Sequence, residues 1–174
     1  MTHTEIIETM RTRLSMPGGR HLYGVLGSYD DLNRFAGQMA KAKSTDGQPF
    51  PKPVSVNRGI LDAIPDEEFR KLVNDEAKRP EPTAAHVASA FGDFIRTNLA
   101  GKGLIALRDF ELVFAYHLEL NLLRTLAADQ DRILLLLPGK RERGAVTLFP
   151  DSDHGSYILP TNLIAENNLW ELKR

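Results

Sequence analysis

Five consecutive apolar residues, Ile133 to Leu137, run straight into Pro138 and Gly139. A stretch of this kind has no polar side to turn toward water, so it predicts a central strand of a parallel sheet, buried on both faces. Parallel neighbours can be reached only through crossovers, which places helices over both faces and excludes an all-helical or all-β chain. Pro138-Gly139 reads as the end of the strand.

The rest of the chain supplies elements that fit such a sheet. Thr2 with Glu5 three residues on forms a capping-box pattern, and Ile6, Ile7, Met10 and Leu14 keep helical spacing until Pro17-Gly18-Gly19. His21 to Leu26 reads as a first strand, Gly27-Ser28 as a turn, and Ser28 as the cap of a helix with Leu32, Phe35 and Met39 on one face. Residues 41–53 are polar and proline-rich, a loop that is either a docking segment or a stiff connector, and Val54 to Val56 reads as a short strand. Pro65 opens a helix with Phe69, Leu72, Val73 and Ala77 as its buried stripe. Pro80 and Pro82 close that helix, and Thr83 caps the next, which carries Val87, Phe91, Phe94, Ile95 and Leu99. This pair reads as a helical insertion at about 65–100 in a single α/β domain spanning residues 1–174. Leu104 to Leu107 is a further strand, Leu112 to Ala128 a Leu-rich helix, and Ala145 to Phe149 a strand paired across the charged loop Lys140 to Arg143. Leu163 to Leu172 reads as a closing helix.

Charge and cysteine usage narrow the chemistry. The chain of 174 residues has no Cys, which removes thiolate metal sites, disulfides and cysteine nucleophiles. Lys plus Arg number 22 and Asp plus Glu 23, divided evenly between the two halves, so no basic face announces nucleic acid. Met1 to Ser15 carries no apolar signal-peptide core and no stretch is long enough to span a bilayer, which points to a cytoplasmic protein without membrane contact.

Three places carry candidate chemistry. The strand, turn and helix at Gly24-Val25-Leu26-Gly27-Ser28-Tyr29-Asp30 lie where a P-loop protein holds its phosphates. The loop lacks the lysine, and Asp30 and Asp31 beyond the turn would repel a triphosphate, so Gly24, Gly27 and Ser28 form a degenerate loop and no cofactor is expected. Leu104 to Leu107 precedes Asp109 and Glu111, faintly like a magnesium-presenting strand, but Arg108 disturbs the spacing and the acids read as a helix start. The five histidines form no zinc motif, Asp151-Ser152-Asp153-His154 reads as a solvated turn, and neither Ser28 nor Ser156 sits in a nucleophile elbow, so no catalytic residue and no metal site is assigned. The concentrated basic spot is Lys140, Arg141 and Arg143, a candidate partner contact. As a surface feature it is expected to be dispensable for folding.

From Leu104 to Leu172 the order is apolar strand, acid, Phe114, His117, Leu120-Asn121-Leu122-Leu123, apolar strand ending in Leu137-Pro138-Gly139, then Leu148-Phe149, Asp153 and Tyr157. This order resembles the small BrxB proteins of the BREX phage-defence systems, and second the related P-loop protein BrxF of those systems. Where such proteins carry an aromatic pair near the end, this chain has Tyr157-Ile158. The resemblance implies a P-loop-derived α/β fold without its phosphate lysine. It also implies a cytoplasmic role beside a PglZ-type phosphatase-like protein and a large ATPase, with no catalysis by the small subunit.

The combined expectation is a mostly parallel sheet flanked by helices, degenerate P-loop NTPase-like, serving as a non-catalytic adaptor in an anti-phage complex. The alternatives are a nucleotide-binding P-loop-derived protein, or a DNA-contacting accessory subunit using Arg141 and Arg143.

Overall fold

A computed structural model describes residues 1–150, 152 and 155–173. The chain runs α1 (His3–Leu14), β1 (Leu22–Gly27), α2 (Tyr29–Met39), β2 (Val54–Ser55), α3 (Val56–Ala63), α4 (Asp66–Glu76) and α5 (Pro80–Leu99). It continues through β3 (Leu104–Arg108), α6 (Glu111–Ala115), α7 (Asn121–Leu126), β4 (Arg132–Glu142), β5 (Ala145–Leu148), β6 (Tyr157–Ile158) and β7 (Leu169–Glu171).

Five strands lie parallel in the order β2-β3-β4-β1-β7, with β5 and β6 added antiparallel beyond the end of β4. Ile133 to Leu137 is the centre of this sheet, since Ile133 pairs with Leu22 of β1 on one side and Ile105 of β3 on the other. Period-two alternation sends its residues to opposite cores. Leu134 and Leu136 join Tyr23, Val25 and Trp170 beneath α1 and α2, while Ile133, Leu135 and Leu137 join Leu22, Leu26 and Leu107 beneath α3, α5 and α6. The helices covering the two faces are therefore set by which residue parity each strand presents. The result is an α/β fold with a mostly parallel sheet flanked by helices.

Local signals mark the helix starts. Thr2 and Glu5 form the reciprocal capping box, and Ser28 caps α2 by accepting the Asp31 N–H. The proline-rich loop is anchored, because Phe50 within it is only 3% exposed on the α1/α2 side.

Six readings need correction. Of the expected buried stripe of α4 only Leu72 is buried, while Phe69, Val73 and Ala77 are exposed. Val56 is not strand but the first residue of α3, an eight-residue helix capped by Ser55. Pro80 and Pro82 open α5 rather than closing α4, as first-turn prolines cost no helical hydrogen bond, and Thr83 is buried inside that helix instead of capping it. The segment from Leu112 to Ala128 is two short helices broken at His117, whose φ of 51° ends the first. That break lets Phe114 turn into an aromatic cluster with Phe149 and Tyr157 at 5.6 and 5.7 Å. Pro138-Gly139 does not stop β4, which continues to Glu142, and the turn of the hairpin is only Arg143-Gly144, both at positive φ. The expected closing helix is β7, preceded by one 3-10 turn. Its adjacent apolar residues serve opposite faces: Trp170 stacks on Tyr23 at 5.8 Å, and Leu169 packs over Gly24, where a Cβ would lie 2.6 Å from its Cδ1. Asp151, Asp153 and His154 lie outside the described residues.

Two predictions follow from this packing. A methyl group on Gly59 of α3 would sit 2.1 Å from the ring of Phe94 on α5, whereas one on Gly37 of α2 meets nothing. Gly59→Ala should destabilise by about 1–3 kcal/mol despite the better helix former, and Gly37→Ala should stabilise by about 0.5–1 kcal/mol, as read by urea unfolding. His21 is buried and shares a 2.8 Å hydrogen bond with the Tyr23 hydroxyl. Burial, then the nearby positive charge of Arg132, holds its pKa below the ordinary 6.5. The unfolded chain therefore takes up the proton first, so stability should be full above 6.5 and fall as pH drops below it. The same titration on His21→Gln should lack that component; an unchanged slope would assign it elsewhere.

Candidate functional site

In parallel sheets of this kind ligands collect outside the carboxyl ends of the strands, at the point where successive connections leave on opposite faces. That point lies between β1 and β4. The connection leaving β1 passes through α2 on one face, and the connection leaving β4 packs Leu148, Phe149, Leu159 and Leu163 into the core on the other. A cleft of about 540 Å³ opens there, with Gly27, Ser28 and Asp31 on one wall and Gly139, Lys140 and Glu171 on the other. The degenerate loop and most of the basic spot, far apart in sequence, meet at this cleft.

Its first wall is the start of α2. Ser28 Oγ accepts the Asp31 N–H at 3.2 Å and donates to Asp31 Oδ2 at 2.6 Å, while Asp31 Oδ1 accepts from Arg34 Nη2 at 2.6 Å. The Ser28 hydrogen bond, followed by the Arg34 charge, holds the Asp31 carboxyl below the usual carboxylate range. A stable negative charge therefore occupies the first turn of α2, where the helix dipole would otherwise favour an incoming anion. Of the two acids beyond the turn, Asp31 is the one folded back to this place.

The second wall is the extension of β4. Gly139 is required because a Cβ there would lie 2.7 Å from the Thr147 carbonyl oxygen, so only glycine lets β5 pair closely. Lys140 pairs with Glu142 at 2.8 Å. Arg141 is engaged within the fold: its guanidinium pairs with Glu166 and donates to the Leu169 carbonyl at 2.8 Å, and its backbone N–H donates to Glu171 Oε1 at 3.3 Å. Arg143 sits at the tip of the hairpin and makes no ion pair among the described residues. The three basic residues thus have three different situations. Gly24 is away from the cleft and serves to admit Leu169 and Ile164.

A second polar group, not expected from the sequence, closes the ends of β2 and β3. Tyr29 donates its hydroxyl proton to Glu111 Oε1 at 2.6 Å, and Asn57 Nδ2 donates to Glu111 Oε2 at 2.7 Å. Asn57 Oδ1 accepts the Leu112 N–H, and its own N–H donates to the Asp109 carbonyl. Desolvation, then the Glu111 hydrogen bond, pushes the Tyr29 phenol well above its ordinary value, so it remains a donor. Asp109, at a φ of 58°, takes Arg108 Nε at 3.0 Å. Both acids after β3 are therefore held by groups of the chain itself, with Glu111 at the start of α6. Asn57 stands in the first turn of α3, two residues past β2 and at the same sheet end as Asp109, a meeting that no sequence spacing announces.

His117 lines a separate groove of about 400 Å³ with Phe114, Glu119 and Tyr157. Among the described residues, no helix is long and apolar enough to cross a membrane. Comparison with protein-family models, curated proteins and solved structures finds no match.

The geometry separates the roles of two arginines. Arg141→Ala should lower unfolding stability by about 1–2 kcal/mol, since it removes a charge-assisted clamp between β4 and β7. Arg143→Ala should stay within about 0.5 kcal/mol. Equal effects in parallel urea titrations would show that the clamp adds nothing.

Proposed function

We propose that this chain is a non-catalytic adaptor subunit of an anti-phage defence complex of the BREX kind, working in the cytoplasm through protein contacts. The observation that carries the non-catalytic part is the carboxylate of Asp31, hydrogen-bonded to Ser28 and Arg34 across the first turn of α2. In a nucleotide-binding relative of this layout that turn receives phosphate. Here a triphosphate would have to displace a fixed negative charge, and the loop offers no lysine to compensate. The degenerate P-loop NTPase-like reading of the fold is supported by the place of β1 inside the sheet, beside central β4, and by its turn opening at the switch point.

The setting comes from the resemblance of residues 104–172 to the BrxB proteins. Their PglZ-type phosphatase-like protein and large ATPase are the partners this reading assigns. A three-layered scaffold whose polar groups at the cleft bind one another suits a subunit that holds others in place.

Titration of the purified chain with ATP and magnesium tests the reading by calorimetry. No heat of binding is expected, and Asp31→Asn with Arg34→Gln should remain without turnover because the lysine is still missing. Binding in the micromolar range, or steady release of phosphate by the isolated chain, would replace the adaptor reading by the nucleotide one. Co-expression with the two assigned partners should yield a complex whose ATP turnover stays with the large subunit.

A further inference from the structure

We infer that α4 is a docking face for a basic amphipathic helix of a partner protein. The sequence gives this helix an apolar stripe of Phe69, Leu72, Val73 and Ala77, but the fold uses only part of it. Leu72 is the buried anchor; Phe69 and Val73 stand 41% and 56% exposed. The remaining attachments are polar, with Glu68 paired to His86 of α5 at 2.9 Å and Glu76 accepting from the Tyr116 hydroxyl. The helix is thus fixed in place from one side while its apolar row faces outward.

The charges around that row specify what would cover it. Asp66, Phe69, Val73 and Glu76 follow at spacings of three, four and three, so they lie in one line along the helix: acid, apolar, apolar, acid. The helix as a whole carries five acids, Asp66, Glu67, Glu68, Asp75 and Glu76, against Arg70 and Lys71. A second copy of the chain does not fit. Antiparallel pairing about the two-fold axis would set Asp66 against Glu76 at both ends, and parallel pairing would set each acid against itself. Like charges at such contacts oppose association. A partner helix with two apolar residues bracketed by Lys or Arg satisfies both the apolar centre and the acidic ends, which is the helix-in-groove mode of recognition with its charges reversed from this chain's own.

The inference deepens the adaptor reading by naming a surface, yet it fails or stands separately. Nucleotide binding at the cleft would overturn that reading and leave α4 untouched. The probe is a fluorescein-labelled synthetic helix of leucine and lysine with the 3-4 apolar repeat, followed by anisotropy, beside the same peptide with glutamate in place of lysine. The lysine peptide should bind, the glutamate peptide should bind at least about tenfold more weakly, and Phe69→Ser with Val73→Ser should cost about tenfold in affinity. Ile158→Ser, an exposed apolar residue elsewhere, should change nothing. Asp66→Lys with Glu76→Gln, which keeps an acceptor for the Tyr116 hydroxyl, should abolish the peptide preference while leaving the apolar row intact. Binding that ignores both pairs of substitutions would overturn the inference. So would concentration-dependent dimers in sedimentation that vanish with Phe69→Ser and Val73→Ser, since the occupant would then be a second copy.

Discussion

The burial of β4 along both edges and both faces is the constraint from which the rest of the structure follows. A strand paired in parallel on each side satisfies its backbone within the sheet, but its side chains then need apolar cover above and below. Leu134 and Leu136 require α1 and α2; Ile133, Leu135 and Leu137 require the layer of α3, α5 and α6. The same strand goes on past the parallel sheet. Pro138 stands opposite Gly27 at the last parallel rung, where its missing N–H is tolerated, and Gly139 admits β5 on the far side. One continuous strand thus forms the core and carries the hairpin that walls the cleft.

At the cleft, long-range contacts convert what looks like an open anion site into a closed one. The Ser28, Asp31 and Arg34 group fills the first turn of α2, and Arg141 ties β4 to the end of the chain through Glu166 and the Leu169 carbonyl. Glu111 is held by Tyr29 and Asn57, residues from two other elements. Asp31, Glu111 and Arg141, near the strand ends, each have a partner on the same chain, whereas Arg143 makes no ion pair among the described residues.

The central strand, the Ser28 turn, the β4–β5 pairing and the helix stripe of α2 were legible because each rests on local periodicity or on a turn residue with a mechanism. The misread parts share a different cause. Leu163 to Leu172 carries apolar residues compatible with a helix, and only the pairing with β1, with Tyr23 stacked on Trp170 and Gly24 making room for Leu169, decides for a strand. Likewise the stretch after Glu111 is helical in composition, and its break at His117 accompanies the long-range packing of Phe114 against Phe149, which no local pattern announces. At the cleft, the turn between β1 and α2 could be read from Gly27 and the capping Ser28. The Arg141 clamp could not, since it depends on a chain end whose type was misread, and the Asn57 to Glu111 contact joins residues that no spacing rule connects.

The way the helices begin bears on where this protein can recognise others. Three of its longer helices have their first N–H groups met by the chain itself: Thr2 and Glu5 on α1, Ser28 and Asp31 on α2, Ser55 on α3. The other two have no side-chain cap: α5 opens on Pro80 and Pro82 with Glu81 between them, and α4 gathers Asp66, Glu67 and Glu68 in its first turn, which the helix dipole favours. None of these ends therefore offers the bare positive field that draws phosphate. For α4 the acids also place negative charge beside exposed apolar side chains, Phe69 and Val73. Glu68 and Glu76 hold α4 to the fold, while Phe69 and Val73 stay exposed on the line that Asp66 begins; on the docking proposal α4 is met along its side rather than at its end.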